Sequence, residues 1–239
     1  MTYIRNPKTE KSGIFCCIPQ EGKCKIGCKD CFFNGSRSYV KNTPNYPPQH
    51  IAEKYPIRVN DGNDSNNDFL QVITDTMFIP MKFYNTCVPK VEHFPSPVVL
   101  TINPSDITDT NFHKLKSIPD NLMFVRIRVN TWNIETVVKP AVDYYTSRGV
   151  PVVLTFMAYY TIPIPEGHKH YYVTRKRTTN IYDAIKGGVW KGIMEKFEGN
   201  KLVYSCGEDI NGTISCKYCG NCMREFWNTT YRLEFGGGR

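Results

Sequence analysis

The chain has 239 residues, of which 41% are hydrophobic and 22% are charged, as in an ordinary globular protein. It contains no run of eighteen apolar residues, and its polar start lacks the apolar centre of a signal peptide, so we expect a cytoplasmic protein without a membrane-spanning helix. The net charge of +8 suits a polyanionic partner such as a nucleic acid or a phosphorylated substrate. A soluble protein that is merely basic has the same charge, and both interpretations stay open.

The first predicted element is a short buried strand over residues 14–18, followed by a turn and three closely spaced cysteines. Cys24, Cys28 and Cys31 have the spacing C-x3-C-x2-C. In a reducing compartment, clustered cysteines bind metal more often than they form disulfides. Three thiolates suit a [4Fe–4S] cluster, which normally takes four ligands, and leave one iron open to a small molecule. A zinc knuckle is the competing interpretation, although zinc sites usually pair two C-x2-C units.

A strand followed by such a loop near the N-terminus resembles the signature of the radical S-adenosylmethionine (SAM) superfamily. The resemblance implies that the three cysteines hold a [4Fe–4S] cluster, that its open iron binds SAM, and that reductive cleavage yields a 5'-deoxyadenosyl radical. In that family an aromatic residue often precedes the third cysteine and packs near the SAM adenine. This chain has Asp30 at that position, so Phe32 or Phe33 is expected to make the adenine contact.

The following segments alternate between strands and helices. A loop with little regular structure is predicted over 40–66 because it is rich in proline, asparagine and aspartate. Further strands are predicted at 98–102, 123–129, 152–157 and 201–204, and helices at 68–79, 108–117, 134–148 and 181–197.

This alternation predicts an α/β fold built from parallel βαβ units. The predicted strands, with a sixth expected within the loops, are too few for a closed eight-stranded barrel. They match the partial (β/α)6 TIM-like barrel of radical SAM proteins, in which the active site lies at the carboxyl ends of the strands.

The resemblance also implies SAM contacts at the ends of later strands. In the family, a glycine-rich turn after the second strand holds the SAM amino group. The predicted counterpart contains Asn103, Ser105 and Asp106, and it has an acid but no glycine. An ordinary turn and helix cap is the competing interpretation.

Three residues of the 123–129 strand and its end are candidates for the SAM ribose and carboxylate: Arg126, Arg128 and Asn130. The two arginines lie two positions apart and therefore share one face of the strand. A guanidinium inside a barrel needs a carboxylate partner, which either SAM or the protein can supply.

The densest basic run, Arg175-Lys176-Arg177, follows two histidines and two tyrosines within residues 168–172. Aromatic residues interleaved with basic ones can stack bases and hold phosphates. A solvated loop with a few packed rings explains the same pattern, and we predict an irregular segment here.

A second cysteine cluster closes the chain: Cys206, Cys216, Cys219 and Cys222. Four cysteines this close can form a structural zinc site or hold a second [4Fe–4S] cluster, as C-terminal extensions of many radical SAM proteins do. We therefore expect a radical SAM-like domain over 1–204 and a metal-binding extension over 205–239. Cys16, Cys17 and Cys87 remain outside both clusters.

Together these features predict a radical SAM enzyme, similar to compact members found in phage and bacterial genomes, whose reaction is unknown. SAM is the expected small-molecule partner and flavodoxin or ferredoxin the expected electron donor, while the substrate is open and includes nucleic acids and phosphorylated molecules. The alternative is a non-catalytic zinc protein that binds nucleic acid through its basic surface. A third interpretation is a radical SAM-like protein that has lost SAM cleavage, because the glycine-rich motif is absent.

Overall fold

The computed structural model describes residues 2–9, 11–28, 43–103, 112–160, 162–177, 180–207 and 216–237. Among the predicted site residues, Cys31, Phe32, Ser105 and Asp106 lie outside the described residues. The strands are β1 (Phe15–Cys17), β2 (Ile57–Val59), β3 (Lys82–Thr86), β4 (Val98–Ile102), β5 (Leu122–Val129), β6 (Val152–Phe156), β7 (Ala158–Tyr159), β8 (Tyr172–Arg177), β9 (Asn180–Ile185) and β10 (Val203–Ser205). The α-helices are α1 (Gln49–Ala52), α2 (Phe69–Asp75), α3 (Lys139–Thr146), α4 (Gly187–Glu195) and α5 (Asn221–Phe235).

Two shorter helical segments complete the described secondary structure. A π-helical turn, Ile134–Val138, leads directly into α3, and a 3₁₀ helix, Glu166–Tyr171, precedes β8. Within the described ranges, no helix combines the length and the apolar character needed to cross a membrane.

The main sheet has seven strands in the order β1-β2-β3-β4-β5-β6-β10, and every neighbouring pair is parallel. The predicted α/β class is therefore confirmed. Strands β1 and β10 form the two edges, and among the described residues no pairing between them closes the sheet. A separate three-stranded antiparallel sheet, β7-β9-β8, is inserted between β6 and α4.

Both faces of the main sheet are buried, which explains why its strands are almost continuously apolar. Successive side chains alternate between the faces. Leu100, Ile127 and Leu154 belong to a large core with residues of α2, α3 and α4, on what we call the outer face. Phe83 and Phe124 belong to a smaller core on the opposite, inner face.

Helix α5 covers the inner face. Phe226 is 2% exposed, and its ring centroid lies 6.0 Å from that of Phe83. Gly13 (φ +75°) lets the chain before β1 pass close to the helix, because a Cβ there would lie 3.0 Å from Met223 Cε. The C-terminal segment thus shares a core with the sheet, while the domain boundary near residue 205 stays a prediction.

Several predicted elements are wrong in detail. The predicted loop over 40–66 includes α1 and β2, and β3 was not predicted at all. Both strands escaped because they are short and contain polar side chains such as Arg58 and Asn85. Residues 112–117 form no helix. Residues 181–185 belong to β9 and the helix begins only at Gly187, since the alternating Ile181–Ile185 segment pairs with β8. The predicted strand at 98–102 is confirmed, and those at 123–129 and 152–157 are confirmed to within one residue as β5 and β6.

Candidate metal centres at the sheet edge and on its inner face

Three segments that follow strands of the sheet meet at the carboxyl edge. Cys28 lies in the loop after β1, Cys87 directly follows β3 and Asn103 directly follows β4. The Sγ atoms of Cys28 and Cys87 are 3.3 Å apart, and Asn103 Nδ2 donates to Cys28 Sγ over 3.9 Å. Cys24, in the same loop, is half-buried. In open parallel sheets this edge is where ligands bind.

A buried carboxylate fixes the position of Cys87. Asp64 is 5% exposed and lies in the loop after β2. Its Oδ2 accepts a hydrogen bond of 2.6 Å from the Cys87 amide, and its Oδ1 accepts one of 2.7 Å from Thr86 Oγ1. The loop begins at Asn60, which has a φ of 63°. Positive φ is unusual for residues other than glycine, but asparagine tolerates it better than most. Cys87 is therefore held by the loop of a neighbouring strand.

The two thiols at this edge differ in acidity. Hydrogen bonding between them lowers the pKa of Cys28 to about 6 and raises the pKa of Cys87. Burial and the nearby Asp64 carboxylate raise the pKa of both thiols, while Asn103 and the Arg128 guanidinium lower that of Cys28. Cys28 is therefore the better thiolate, which is the form that binds metal.

The three candidates on and after β5 divide between two places. Arg128 lies close enough to Cys28 to lower the pKa of its thiol, and its Nε donates to Met157 Sδ over 2.8 Å. Asn130 is 2% exposed, and its backbone N–H donates to Asn133 Oδ1, so it is built into the turn after β5. Arg126 instead donates from Nη1 to Asn85 Oδ1 over 3.3 Å and lies beside the C-terminal thiols.

The four C-terminal cysteines come together on the inner face. Cys206 follows β10, and Cys222 lies in the first turn of α5. Hydrogen bonds link the Cys216 thiol to those of Cys206 and Cys219, lowering the pKa of the latter two to about 6 and raising that of Cys216. A small cavity is lined by Cys216, Cys219, Cys222 and Arg58, among others. The predicted grouping of these four residues therefore fits the fold.

Two arginines of the sheet face these thiols. Arg58, on β2, forms an ion pair with Asp61 in which each side chain is only 10% exposed, and its Nη2 lies 3.7 Å from Cys16 Sγ. Arg58 and Arg126 both lower the pKa of Cys206 and of Cys222, although burial keeps the pKa of Cys222 raised, to about 11. A divalent ion held by four thiolates carries excess negative charge, and two guanidinium groups complement it.

The donor chemistry at both places fits a soft metal or an iron–sulfur cluster, because thiolates are the ligands that these centres prefer. Among the described residues, no three cysteine, histidine or carboxylate side chains are already arranged to hold a metal ion. A metal site at either place is therefore a proposal that rests on the thiols that lie close together, Cys28 with Cys87 and Cys216 with Cys206 and Cys219.

Sequence reasoning missed three residues of these sites: Cys87, Asp64 and Arg58. Cys87 was left outside both clusters because β3 was not predicted. The polar segment at 60–68 gave no sign that Asp64 anchors a neighbouring strand. The sequence did contain one signal, namely that Cys87 belongs to neither cluster. Such a cysteine can still join a cluster once the chain is folded.

The chain matches no protein-family model, and neither curated proteins nor solved structures include a match to it.

Proposed function

We propose that the protein is a radical SAM enzyme with its active site at the carboxyl edge of the main sheet. The observation that carries the proposal is the position of the C-x3-C-x2-C loop directly after the first strand of a sheet whose parallel strands run in sequence order. A doubly wound sheet reverses its strand order at a switch point, and this one does not. Sequential order is the arrangement that a partial (β/α) barrel requires, here with seven strands rather than six.

Cys24, Cys28 and Cys31 are the proposed ligands of the [4Fe–4S] cluster. When bound, the cluster and SAM supply the reductive cleavage that yields a 5'-deoxyadenosyl radical. The pKa of the Cys28 thiol is lowered chiefly by its hydrogen bond with Cys87, and further by Asn103 and Arg128, which favours the thiolate. Arg128 also offers a guanidinium to a ligand carboxylate at the same edge, which makes it the proposed partner of the SAM carboxylate.

The proposed site for the SAM amino group moves from the turn at Asn103 to the turn after β2. The family's amino-binding turn follows the second strand, and in this chain that strand is β2, whereas Asn103 follows the fourth. The turn Asn60-Asp61-Gly62 contains a glycine and an acid next to a residue with positive φ. Asp61 pairs with Arg58, so backbone carbonyls of this turn are the proposed acceptors.

The first test is anaerobic purification followed by iron, sulfide and zinc analysis. We expect about four iron and four sulfide per chain from one cubane cluster, and about eight where the C-terminal site also holds one. Replacement of Cys24, Cys28 and Cys31 by Ala is expected to remove one cluster and to abolish formation of 5'-deoxyadenosine from SAM and dithionite, measured by mass spectrometry.

Cys17→Ala is the matched control. The side chain of Cys17 is fully buried on the outer face against Ile51, Ala52 and Ile79. The variant keeps the backbone carbonyl that accepts from the Asn60 amide, so loss of this thiol is expected to leave iron content and SAM cleavage unchanged. Protein that contains only zinc and forms no 5'-deoxyadenosine would contradict the proposal.

The 3.3 Å separation of Cys28 and Cys87 favours one competing function, a closed structural metal site in a binding protein. Two thiolates on one tetrahedral zinc lie ~3.8 Å apart, given Zn–S bonds of about 2.3 Å. Ligands of a cubane bind separate irons, and an open iron needs no fourth cysteine. The pair is therefore closer to the geometry of one shared ion.

Cys87→Ser separates the two functions. In the radical SAM enzyme this variant keeps its iron and still forms 5'-deoxyadenosine. In a closed four-thiol site it loses the metal bound by Cys24 and Cys28, and wild-type metal is zinc.

A further inference from the structure

The antiparallel sheet β7-β9-β8 directly follows β6 at the carboxyl edge of the main sheet, where the proposed active site lies. Met157, whose Sδ accepts from Arg128 Nε, lies between the last residue of β6 and the first of β7. Strands β8 and β9 pair along their whole length and are called the hairpin below. At the end of the hairpin nearest the main sheet, Tyr172 Oη accepts from the Thr131 amide over 3.2 Å, and Thr131 Oγ1 shares a hydrogen bond of 2.9 Å with His168 Nδ1. Thr131 lies in the turn after β5, so the hairpin is fixed to the ends of β5 and β6.

One face of the hairpin belongs to the protein core. Tyr172 and Ile185 are directly opposite each other and buried, and both contribute to the outer-face core. The ring of Trp132 lies 5.5 Å from Tyr159 and 6.3 Å from Tyr172, between ring centroids. This end of the hairpin is therefore packed into the core, and the alternation of side chains along the strands points its other face away from the core.

The outward face combines basic and aromatic side chains. Arg175 is directly opposite Tyr182, so the two share this face, and Val173, which is 39% exposed, lies on it two positions earlier. The ring centroids of Tyr182 and Tyr160 are 5.2 Å apart. Arg175 is exposed, and Lys176 is exposed next to it on the opposite face, near the tip.

These cations carry no carboxylate partner among the described residues. The ion pairs of the neighbouring segments use other lysines: Lys169 with Glu166, and Lys191 with Glu195. The one acid of β9, Asp183, accepts a hydrogen bond of 2.7 Å from Thr174. The hairpin therefore presents Arg175 on the same face as the Tyr182–Tyr160 pair and Lys176 on the opposite face near it, both without a carboxylate partner in the described part of the chain.

We propose that this hairpin binds single-stranded nucleic acid and that a nucleic acid is the substrate class of the proposed enzyme. Arg175 and Lys176 contact phosphates, and Tyr182, supported by Tyr160, offers a ring on which an unpaired base stacks. A small phosphorylated molecule needs the cations but not a stacking ring on an extended outward face. The net charge of +8 favours the same partner. The substrate assignment rests on the proposed function, whereas binding itself does not.

The test is fluorescence anisotropy with labelled single-stranded DNA and RNA oligonucleotides and a matched duplex, at several salt concentrations. Arg175→Gln with Lys176→Gln is expected to weaken single-strand binding about tenfold and to reduce the salt slope by about 1.4, the contribution of two phosphate contacts. Tyr182→Leu is expected to weaken it about fivefold or more without changing the slope, and to leave heparin binding unchanged. DNA and RNA arms identify which nucleic acid is preferred.

Lys191→Gln with Lys196→Gln is the control, because it removes the same charge from α4 and the turn after it. Equal losses in this control, equal affinity for the duplex, or no binding by the wild type would overturn the proposal. Its failure is distinguishable from failure of the radical SAM function. Iron and 5'-deoxyadenosine without oligonucleotide binding reject only the hairpin, and binding by a zinc protein rejects only the enzyme.

Discussion

The two cysteine sites are built in opposite ways. The N-terminal site lies at the carboxyl edge of the sheet, where Cys24 and Cys28 are supplied by an irregular loop and a third thiol by the end of β3. The C-terminal site lies on the inner face, where Cys206 and Cys222 pack against a core that includes Phe83 and Phe124. One site lies at an edge of the sheet and the other packs against the inner-face core, although the described cysteines of both are only partly buried.

The electrostatic surroundings differ in the same sense. At the edge, the hydrogen bond with Cys87 lowers the pKa of Cys28 most, while the buried Asp64 carboxylate raises it and the Arg128 guanidinium lowers it. On the inner face, Arg58 and Arg126 both favour thiolates. An edge with balanced charges suits a site that must accept and release a ligand, whereas an interior site with complementary cations suits a centre that stays bound. We therefore propose that the first site carries the chemistry and that the second is structural.

The sharpest test of this contrast is to remove one thiol from each site and compare stability. Cys222→Ala is expected to lower the free energy of unfolding by more than about 5 kcal/mol, because metal binding at an interior site is coupled to folding. Cys28→Ala is expected to cost about 1 kcal/mol or less, since its loop is half exposed. Thermal unfolding of anaerobically purified protein, with metal analysis, measures both. Equal losses would mean that the two sites are not different in kind.

The contact between α5 and the sheet gives the next largest effect. Phe226→Ala removes a ring that is 2% exposed and is expected to cost about 3–5 kcal/mol in unfolding free energy, as core truncations of this size do. Tyr231, on the same helix, is 63% exposed, so Tyr231→Ala is the matched control with an expected change within about 0.5 kcal/mol. Urea unfolding measures both variants. A small effect of Phe226→Ala would contradict the packing of α5, and of the C-terminal thiols that it carries, against the inner-face core.

The sequence predicts the apolar strands far better than the polar ones. Residues 98–102 and 152–156 were identified because both faces of a parallel sheet are buried there. Strand β3, KFYNT, escaped because Asn85 and Thr86 are buried through hydrogen bonds to Arg126 and Asp64 rather than through apolar contacts. Missing this strand also hid Cys87, since its relation to Cys28 exists only in the folded sheet. The C-terminal thiols could be grouped from the sequence because their spacing is local, and their use as one metal site stays a prediction.

The two arginines of β5 provide a finer test, because they lie two positions apart and the proposed function gives them different sites. Arg128→Gln is expected to weaken SAM binding about tenfold or more, the cost of one guanidinium–carboxylate pair. Arg126→Gln is expected to leave SAM affinity unchanged and to reduce metal retention at the C-terminal cysteines during dialysis against a chelator. Equilibrium dialysis with labelled SAM, under anaerobic conditions, gives the first quantity. An effect of both variants on SAM binding would show that the two sites act as one.

The smallest expected effect concerns the tether of the N-terminal loop. Lys25 Nζ lies 3.0 Å from Asp68 Oδ2, joining the loop between Cys24 and Cys28 to the start of α2, with the two side chains 71% and 49% exposed. Solvent screens such a pair, so Lys25→Ala is expected to cost at most about 1 kcal/mol of unfolding free energy, and less at high salt. Lys23→Ala, which removes a neighbouring exposed charge with no ion pair among the described residues, is the control. Because an open edge site depends on its loop more than on its core, Lys25→Ala is expected to slow cluster reconstitution more than Lys23→Ala does. Reconstitution is measured by the visible absorbance of the cluster. Identical rates for the two variants would show that the loop is positioned by its cysteines alone.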